Sequence, residues 1–405
     1  MRRKQFLTII SRSLAILVMT LILGSSAWAG SYKVLHVFKG SQDGSQPHQH
    51  LIFDAAGNLY GVTQWGGEYG WGTVFELSPQ PDGSWTESIL YSFTDGADGG
   101  GPVAPLIFDA AGNLYSTTWY GGENAGGVVF KLTHNPDGTW TESVLHTFAG
   151  GTDGYQSWSG LIFDAAGDLF GTAVYGGAGN AGIAFELVPN PDGTWTENVL
   201  HTFTGYPDGG NPSRGLVSDA AGNLYGATEY GGSYGAGAVF ELTQTQGGAW
   251  TEKVPHSFRG PDGSDPQTAL VLDPSGNLYG TTWAGGQFGY GIVFMLSPNP
   301  NGSWTEKALH HFTGGKDGAN PWDGVTLDAA GNVYGTTGFG GVYGDGVVFE
   351  LTSTPTHGWS IGLLYPFSGF GSDPQADLAL DAAGNIYGTT WAGSHNNGLV
   401  FEITP

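Results

Sequence analysis

One phrase governs what this chain can fold into. Leu51-Ile-Phe-Asp-Ala-Ala-Gly-Asn-Leu-Tyr-Gly returns from Leu106, Leu161, Leu216, Leu270, Val325 and Leu378, at steps of 53 to 55 residues. Self-similarity at such a period means a solenoid, a propeller or an array. Each unit reads as four short strands. The first ends in Leu-Ile-Phe before Asp54, and Ala55-Ala56-Gly57-Asn58 is turn chemistry. The second is Leu59 to Thr63, and a glycine-rich loop from Gly66 to Gly72 follows it. The third is Thr73 to Leu77, Pro79 to Gly83 turns the chain, and Trp85 to Phe93 is the fourth. β-Branched and aromatic runs between Gly, Pro, Asn and Asp clusters read as all-β. Runs such as Val128-Val129-Phe130 are apolar on both faces, as strands sandwiched between neighbouring sheets are. Four strands per unit with both faces covered is the propeller pattern.

The chain ends predict how the ring closes. The last unit stops after its third strand, Leu399 to Ile403, and the missing fourth strand has a counterpart in Tyr32 to Phe38, which matches Trp140 to Phe148. Pairing these two segments gives a seven-bladed β-propeller with nothing left over. The expected organisation is a signal peptide over 1–29 and one propeller domain over 30–405.

The signal assignment rests on Arg2, Arg3, Lys4 and Arg12, the apolar stretch Leu14 to Leu23, and Ala27-Trp28-Ala29 as a cleavage site. That stretch is too short to span a bilayer. Secretion or release to a periplasm is therefore expected, with cleavage after Ala29. There is no cysteine, so disulfides and thiolate chemistry are excluded and the core must supply the stability. Beyond the signal, eight basic residues face 36 acidic ones. A chain that acidic repels phosphate backbones and anionic lipid heads. Nucleic acid is excluded as a partner, the mature chain is expected not to insert in a membrane, and a monomer is expected.

The phrases Asp-x-x-Gly-Asn-Leu-Tyr-Gly, Gly-Gly-x-x-x-Gly-x-Gly-x-Val-Phe-Glu-Leu and His-x-Phe-x-Gly-x-Asp-Gly resemble the GloVer tandem repeat of bacterial choice-of-anchor surface proteins. The resemblance covers essentially the whole mature chain; SBBP-type propeller repeats are weaker relatives. It implies an exported repeat protein and no assigned activity. Relatives often carry a C-terminal anchor, whereas this sequence stops at Pro405 directly after a strand, so a soluble product is expected.

Most recurring polar residues read as structural. The Asp before each first turn can accept that turn's amides. Trp85, Trp140, Trp195, Trp250, Trp304 and Trp359 open six fourth strands and read as packing between blades. Asp137-Gly-Thr-Trp140 resembles a sialidase Asp-box superficially, but the carboxylate clamp of sialidases needs three arginines, and only Arg214 and Arg259 remain after cleavage. His36, His146, His201, His256 and His310 recur on the fourth strand, where they are expected to diverge radially rather than share a metal ion. His48, His50 and His395 form an H-x-H signal of low specificity. No metal site is assigned and no cofactor is called for, although calcium in the acidic loops stays open. No acid stands clearly outside the repeat, so no catalytic residue is assigned.

Function is expected on the face that carries the loops after strands two and four, since variable loops on a rigid frame are where binding resides. Trp65, Trp119, Trp283 and Trp391 are the candidate sugar-stacking set, with Asp43, Asp98, Asp208, Asp262 and Asp317 of the Asp-Gly loops as hydroxyl acceptors. The leading reading is recognition of a carbohydrate or another extracellular polymer. The alternatives are a polysaccharide lyase or hydrolase using acids on the same face, and a structural matrix protein. Fold alone does not choose among these.

Overall fold

Turn chemistry builds each blade. In the first, Ile52–Phe53, Leu59–Trp65, Thr73–Pro79 and Trp85–Ser92 pair in that order as an antiparallel sheet, and seven such sheets form a β-propeller. The structure is a computed structural model, and it describes residues 30–354, 358–369, 371–393 and 396–405. The signal segment, Phe370 and His395 lie outside the described residues. No helix among the described residues is long and apolar enough to cross a membrane.

The Asp of the repeated phrase acts within its own turn. Asp54 Oδ1 accepts the Ala56 and Asn58 amides at 2.8 and 2.9 Å, and Oδ2 accepts Asn58 Nδ2 at 2.8 Å and the Tyr60 hydroxyl at 3.2 Å. Four hydrogen bonds hold its carboxyl below the usual range although burial pushes it up. The turn is thus fixed by a side chain that mimics backbone, as an Asx turn does.

Closure follows the expected pairing. Ser31–Val37 runs antiparallel to Leu399–Thr404, with Ser31 opposite Thr404 and Val37 opposite Leu399. A bulge between Val34 and His36 recurs at the equivalent place in each other outer strand, for instance opposite Val129 and Phe130. The bulge re-aims the histidine of the outer strand toward the neighbouring blade.

The core lies between blades rather than within them. Leu35, Phe38, Tyr387 and Val400 of the last blade pack against Leu51, Leu59, Phe75 and Leu77 of the first, and six further clusters repeat this across the other interfaces. At the centre of every interface an outer-strand Phe meets a third-strand Phe of the next blade edge-to-face. Phe38–Phe75, Phe93–Phe130, Phe148–Phe185, Phe203–Phe240, Phe258–Phe294, Phe312–Phe349 and Phe367–Phe401 have centroids 4.8–5.4 Å apart. Gly61 makes room for this ring: a Cβ there would sit 2.6 Å from Phe75 Cζ.

Two outcomes test this architecture. Phe148→Ala should lower stability by about 3–5 kcal/mol in urea denaturation, the range for a large aromatic lost from a close-packed core. Deleting residues 30–38 should leave Leu399–Thr404 as an open edge and produce aggregation. A truncated chain that stays monomeric with unchanged melting would disprove closure by the N-terminal strand.

Candidate functional site

The innermost strand is not continuous, and its interruption builds the site. Ser45–Pro47 and Ile52–Phe53 both pair with Leu59–Trp65, and residues 48–51 leave the sheet between them. Gln46, Gly101, Gln156, Asn211, Asp265, Asn320 and Asp373 occupy one repeat position, and each has φ between 54 and 59°. Gly, Asn and Asp dominate it because few other residues tolerate the left-handed region. The turn sends each N–H out of its own sheet to a carbonyl of the preceding blade, as in Gly101 to Trp71 at 2.7 Å and Asn211 to Ala181 at 2.8 Å. Gln46 donates in the same way to Asn397, so the closing interface is stitched like the others. Proline follows in six of the seven repeats and has no N–H to give to the ladder. The next three residues of each blade are thereby turned to the axis.

These residues enclose a cavity of about 360 Å³ to which every blade contributes, among them His50, Pro105, Trp158, Arg214, Ala269, Asp323 and Asp377. This is the size at which small-molecule sites begin. Its polar groups do not repeat. Arg214 has a side chain only 3% exposed; it lies over the Trp158 ring at 5.0 Å and reaches Asp323 Oδ2 at 3.7 Å through Nη1. Among the described residues its Nε, Nη1 and Nη2 have no hydrogen-bond partner, nor do Trp158 Nε1, Gln49 Nε2, His48 Nδ1 and Asp377 Oδ1. The Gly324 amide donates to Asp323 Oδ1 at 2.9 Å. A Cβ on Gly324 would lie 2.3 Å from the Ala269 carbonyl and 3.0 Å from Asp377 Oδ2, so glycine there lets the two carboxylates approach.

The electrostatics follow from burial. Desolvation, then the nearby Asp323 charge, pushes the Asp377 carboxyl well above the usual carboxylate range. Burial also raises Asp323, and the Arg214 guanidinium works against that rise. Arg214 thus favours the charge on Asp323, and Asp377 keeps its proton. Burial, with Arg214 adding to it, lowers His48 to about 3, and burial lowers His50 to about 4. Both imidazoles are neutral at ordinary pH. The cavity therefore offers one cation, one paired carboxylate, one carboxylic acid and neutral aromatic walls.

The four candidate tryptophans do not form one set. Trp119 meets Trp158 at 5.0 Å, and Trp283 meets Trp322 at 6.3 Å. Trp391 shares their repeat position, and its amide donates to the Asp373 carbonyl. Trp65 is one residue further along its strand, where side chains alternate. It joins Trp71 and Tyr120 instead, at 5.4 and 5.8 Å. The loop-face aromatics expected from the sequence are present, with Tyr69, Tyr234 and Tyr343 each more than half exposed.

The Asp-Gly carboxylates differ from expectation: each engages its own loop or the outer strand, although Asp43 Oδ1 has no hydrogen-bond partner among the described residues. Asp98 accepts the Thr94 amide and the Tyr91 hydroxyl, Asp208 meets His201 at 3.0 Å, and Asp317 meets His310 at 3.0 Å. Asp43 accepts the Lys39 amide, and Asp262 accepts the Arg259 amide and Nε. The recurring histidines thus work at the rim with the aspartate of their own loop.

Sequence reading missed the axial set, and it holds that no acid departs from the repeat. Asp323 and Asp377 do depart from it. Asp323 stands where the other blades have Gln49, Ala104, Ser159, Arg214, Thr268 and Ala376. Asp377 stands where they have His50, Pro105, Gly160, Gly215, Ala269 and Gly324. Aligning these short segments column by column would have exposed both acids; their proximity needs the ring.

Asp377 has its pKa raised on folding, so its protonated form stabilises the fold. That contribution is full below the unfolded value, about pH 4, and is lost as pH rises through the folded value. Asp377→Asn mimics the neutral acid. It should melt with the wild type at low pH and above it in alkaline buffer, by scanning calorimetry. A variant that melts lower in alkali would mean that the ionised carboxylate holds the fold.

Comparison with solved structures finds weak likenesses. A protein of unknown function from Dyadobacter fermentans is 12% identical, over 82% of this chain and 96% of that one, with a TM-score of 0.43. A putative oxidoreductase (glucose dehydrogenase) from Thermus thermophilus is 16% identical, over 75% of this chain and 96% of that one, also at 0.43. No curated protein sequence matches. The Gloeobacter/Verrucomicrobia repeat matches three times, at residues 25–217, 135–306 and 219–405. The overlapping matches run through every blade, and the chain belongs to the Gloeobacter/Verrucomicrobia repeat family.

Proposed function

We propose that this protein is an exported recognition module that binds carbohydrate at its axis. The observation that carries the reading is Arg214, buried beside the axial cavity and ion-paired with Asp323 through Nη1 at 3.7 Å, but with no guanidinium nitrogen hydrogen-bonded among the described residues. A buried donor left without an acceptor costs about 1–3 kcal/mol, more when charged. The unpartnered groups around it are mixed: Arg214, Trp158 and Gln49 donate, while His48 Nδ1 and Asp377 Oδ1 can accept. A polyol, which carries donors and acceptors on neighbouring carbons, matches such a set. The Trp158 indole, with Trp119 against it, offers the flat apolar surface that suits the faces of a pyranose ring. The cavity's size favours a single sugar or a chain end over a long polymer lying in a groove. Cleavage after Ala29 is part of this proposal, and N-terminal sequencing of the exported protein checks it.

A second reading has its own support. The Asp323–Asp377 pair, one carboxylate facing a cation and one carboxyl holding its proton, is the division of roles that acid–base glycoside cleavage uses. Calorimetric titration with oligosaccharides, run beside a reducing-end assay, separates the two. Binding without product release supports recognition. New reducing ends that vanish in Asp323→Asn and Asp377→Asn support the hydrolase.

In the binding titration, Arg214→Gln and Trp158→Ala should each weaken affinity by about 1–3 kcal/mol, the range for a strong interface contact. Trp65→Ala should change affinity far less, since the Trp65 ring reaches Trp119 through Tyr120 and does not line the cavity. Failure of the wild type to bind any glycan would reject the reading. A large drop in the melting temperature of Trp158→Ala, with affinity kept, would make that ring a lid on the core.

A further inference from the structure

The rim histidines carry an inference independent of the axial site. His36 Nε2 lies 3.7 Å from Asp43 Oδ2 and 3.6 Å from Glu87 Oε1. His146 Nε2 lies 3.2 Å from Asp153 Oδ1 and 3.9 Å from Glu197 Oε1. In each triad the three ligand atoms are within 4.8 Å of one another. The imidazole nitrogen and the glutamate oxygen of both are out of solvent and have no hydrogen-bond partner among the described residues. By contrast, His201 and His310 bond their aspartates directly at 3.0 Å.

Ligands about 2.0–2.2 Å from a tetrahedral zinc ion stand about 3.3–3.6 Å from one another. The triad spacings bracket that range and are mostly too long for direct hydrogen bonds. Each triad draws on two blades: His and Asp come from an outer strand and the loop after it, Glu from the Trp-Thr-Glu start of the next outer strand. The bulge in the outer strand aims the imidazole into this interface.

A third interface shows what such a cluster attracts. Beside His256 and Asp262, the largely exposed Arg259 places its Nε 3.2 Å from the Asp262 carboxylate, so a protein cation pairs with the aspartate there, while His256 Nε2 and Glu306 Oε1 keep no hydrogen-bond partner among the described residues. Aligned on the preceding Phe, the Arg259 position is Ala149 at the His146 triad and Lys39 at the His36 triad. Ala149 cannot supply a charge. Lys39 makes no ion pair with Asp43 or Glu87 within 4.0 Å among the described residues.

We propose that a divalent transition ion of the zinc type binds between blades at His146, Asp153 and Glu197, and a second at His36, Asp43 and Glu87, with water completing each shell. One imidazole and two carboxylates suit zinc, whereas calcium takes six to eight oxygens. The second site joins the N-terminal closing strand to the first blade, so its ion fastens the ring where the chain's two ends meet. In a chain without cysteine, such ions are cross-links that need no disulfide.

The test is zinc titration of the chelator-stripped full chain by calorimetry, with cobalt absorption as a spectroscopic check of tetrahedral geometry. Two equivalents should bind and raise the melting temperature. His146→Ala and Ala149→Arg should each remove one equivalent. Ala149→Arg should do so while keeping the fold, since it copies Arg259 of the His256–Asp262 interface. His36→Ala combined with His146→Ala should remove both equivalents and the zinc-dependent rise in melting. The proposal is overturned if the stripped wild type takes up no zinc, or if the double variant still binds two equivalents. Retention of two equivalents by Ala149→Arg would remove the His146 site from it.

Discussion

The edge-to-face Phe pair between neighbouring blades is the contact on which the rest of this protein depends. A four-stranded blade has two apolar faces and cannot bury either alone. Each face is covered only when Phe148 of one blade meets Phe185 of the next, and likewise around the ring. Stability is therefore a nearest-neighbour quantity, as in other repeat proteins, with one difference. The Phe38–Phe75 contact and the Ser31–Val37 strand turn an open array into a closed one, so no blade is terminal.

A second constraint acts nearer the axis. The left-handed residue ahead of each inner-strand proline stitches its blade to the preceding one and pulls the chain out of its own ladder. Structure and site therefore share one cause. The same turn that supplies the inter-blade hydrogen bond delivers three side chains per blade to the axis. Because the frame repeats, those side chains are free to differ. Arg214, Asp323 and Asp377 are tolerated there because they face a cavity rather than a packed sheet. At the rim, by contrast, the His–Asp–Glu pattern follows the repeat over several interfaces, which differ in how closely the histidine approaches its aspartate and in whether an Arg or Lys stands beside them.

Polar residues in such a protein divide by whether they follow the period. Asp54 and its equivalents recur because each closes the same turn, six of them with the same four bonds and Asp164, which faces Asp168 and Phe170 instead of Asn and Tyr, with the two amide bonds alone. Asp323 and Asp377 occur once each, at neighbouring positions of neighbouring blades, and burial with mutual repulsion sets their ionisation. Nothing in the local sequence of either acid differs from that of a solvated loop residue.

What the sequence by itself determined was the blade count, the strand order within a blade, the structural role of the turn aspartates and the closing partner of the N-terminal strand. All of these follow from period, alternation and turn residues, which are local properties repeated often enough to be unmistakable. The loop face was legible too, as a collection of aromatics. How those aromatics group was not. Trp65 and Trp119 are one residue out of phase, and on a strand that shift sends the rings to opposite sides. The axial site was decided only by tertiary structure. Its members are more than 160 residues apart between Arg214 and Asp377, and only closure of the ring around a broken inner strand brings a buried cation, two buried carboxyl groups and an indole wall to one point.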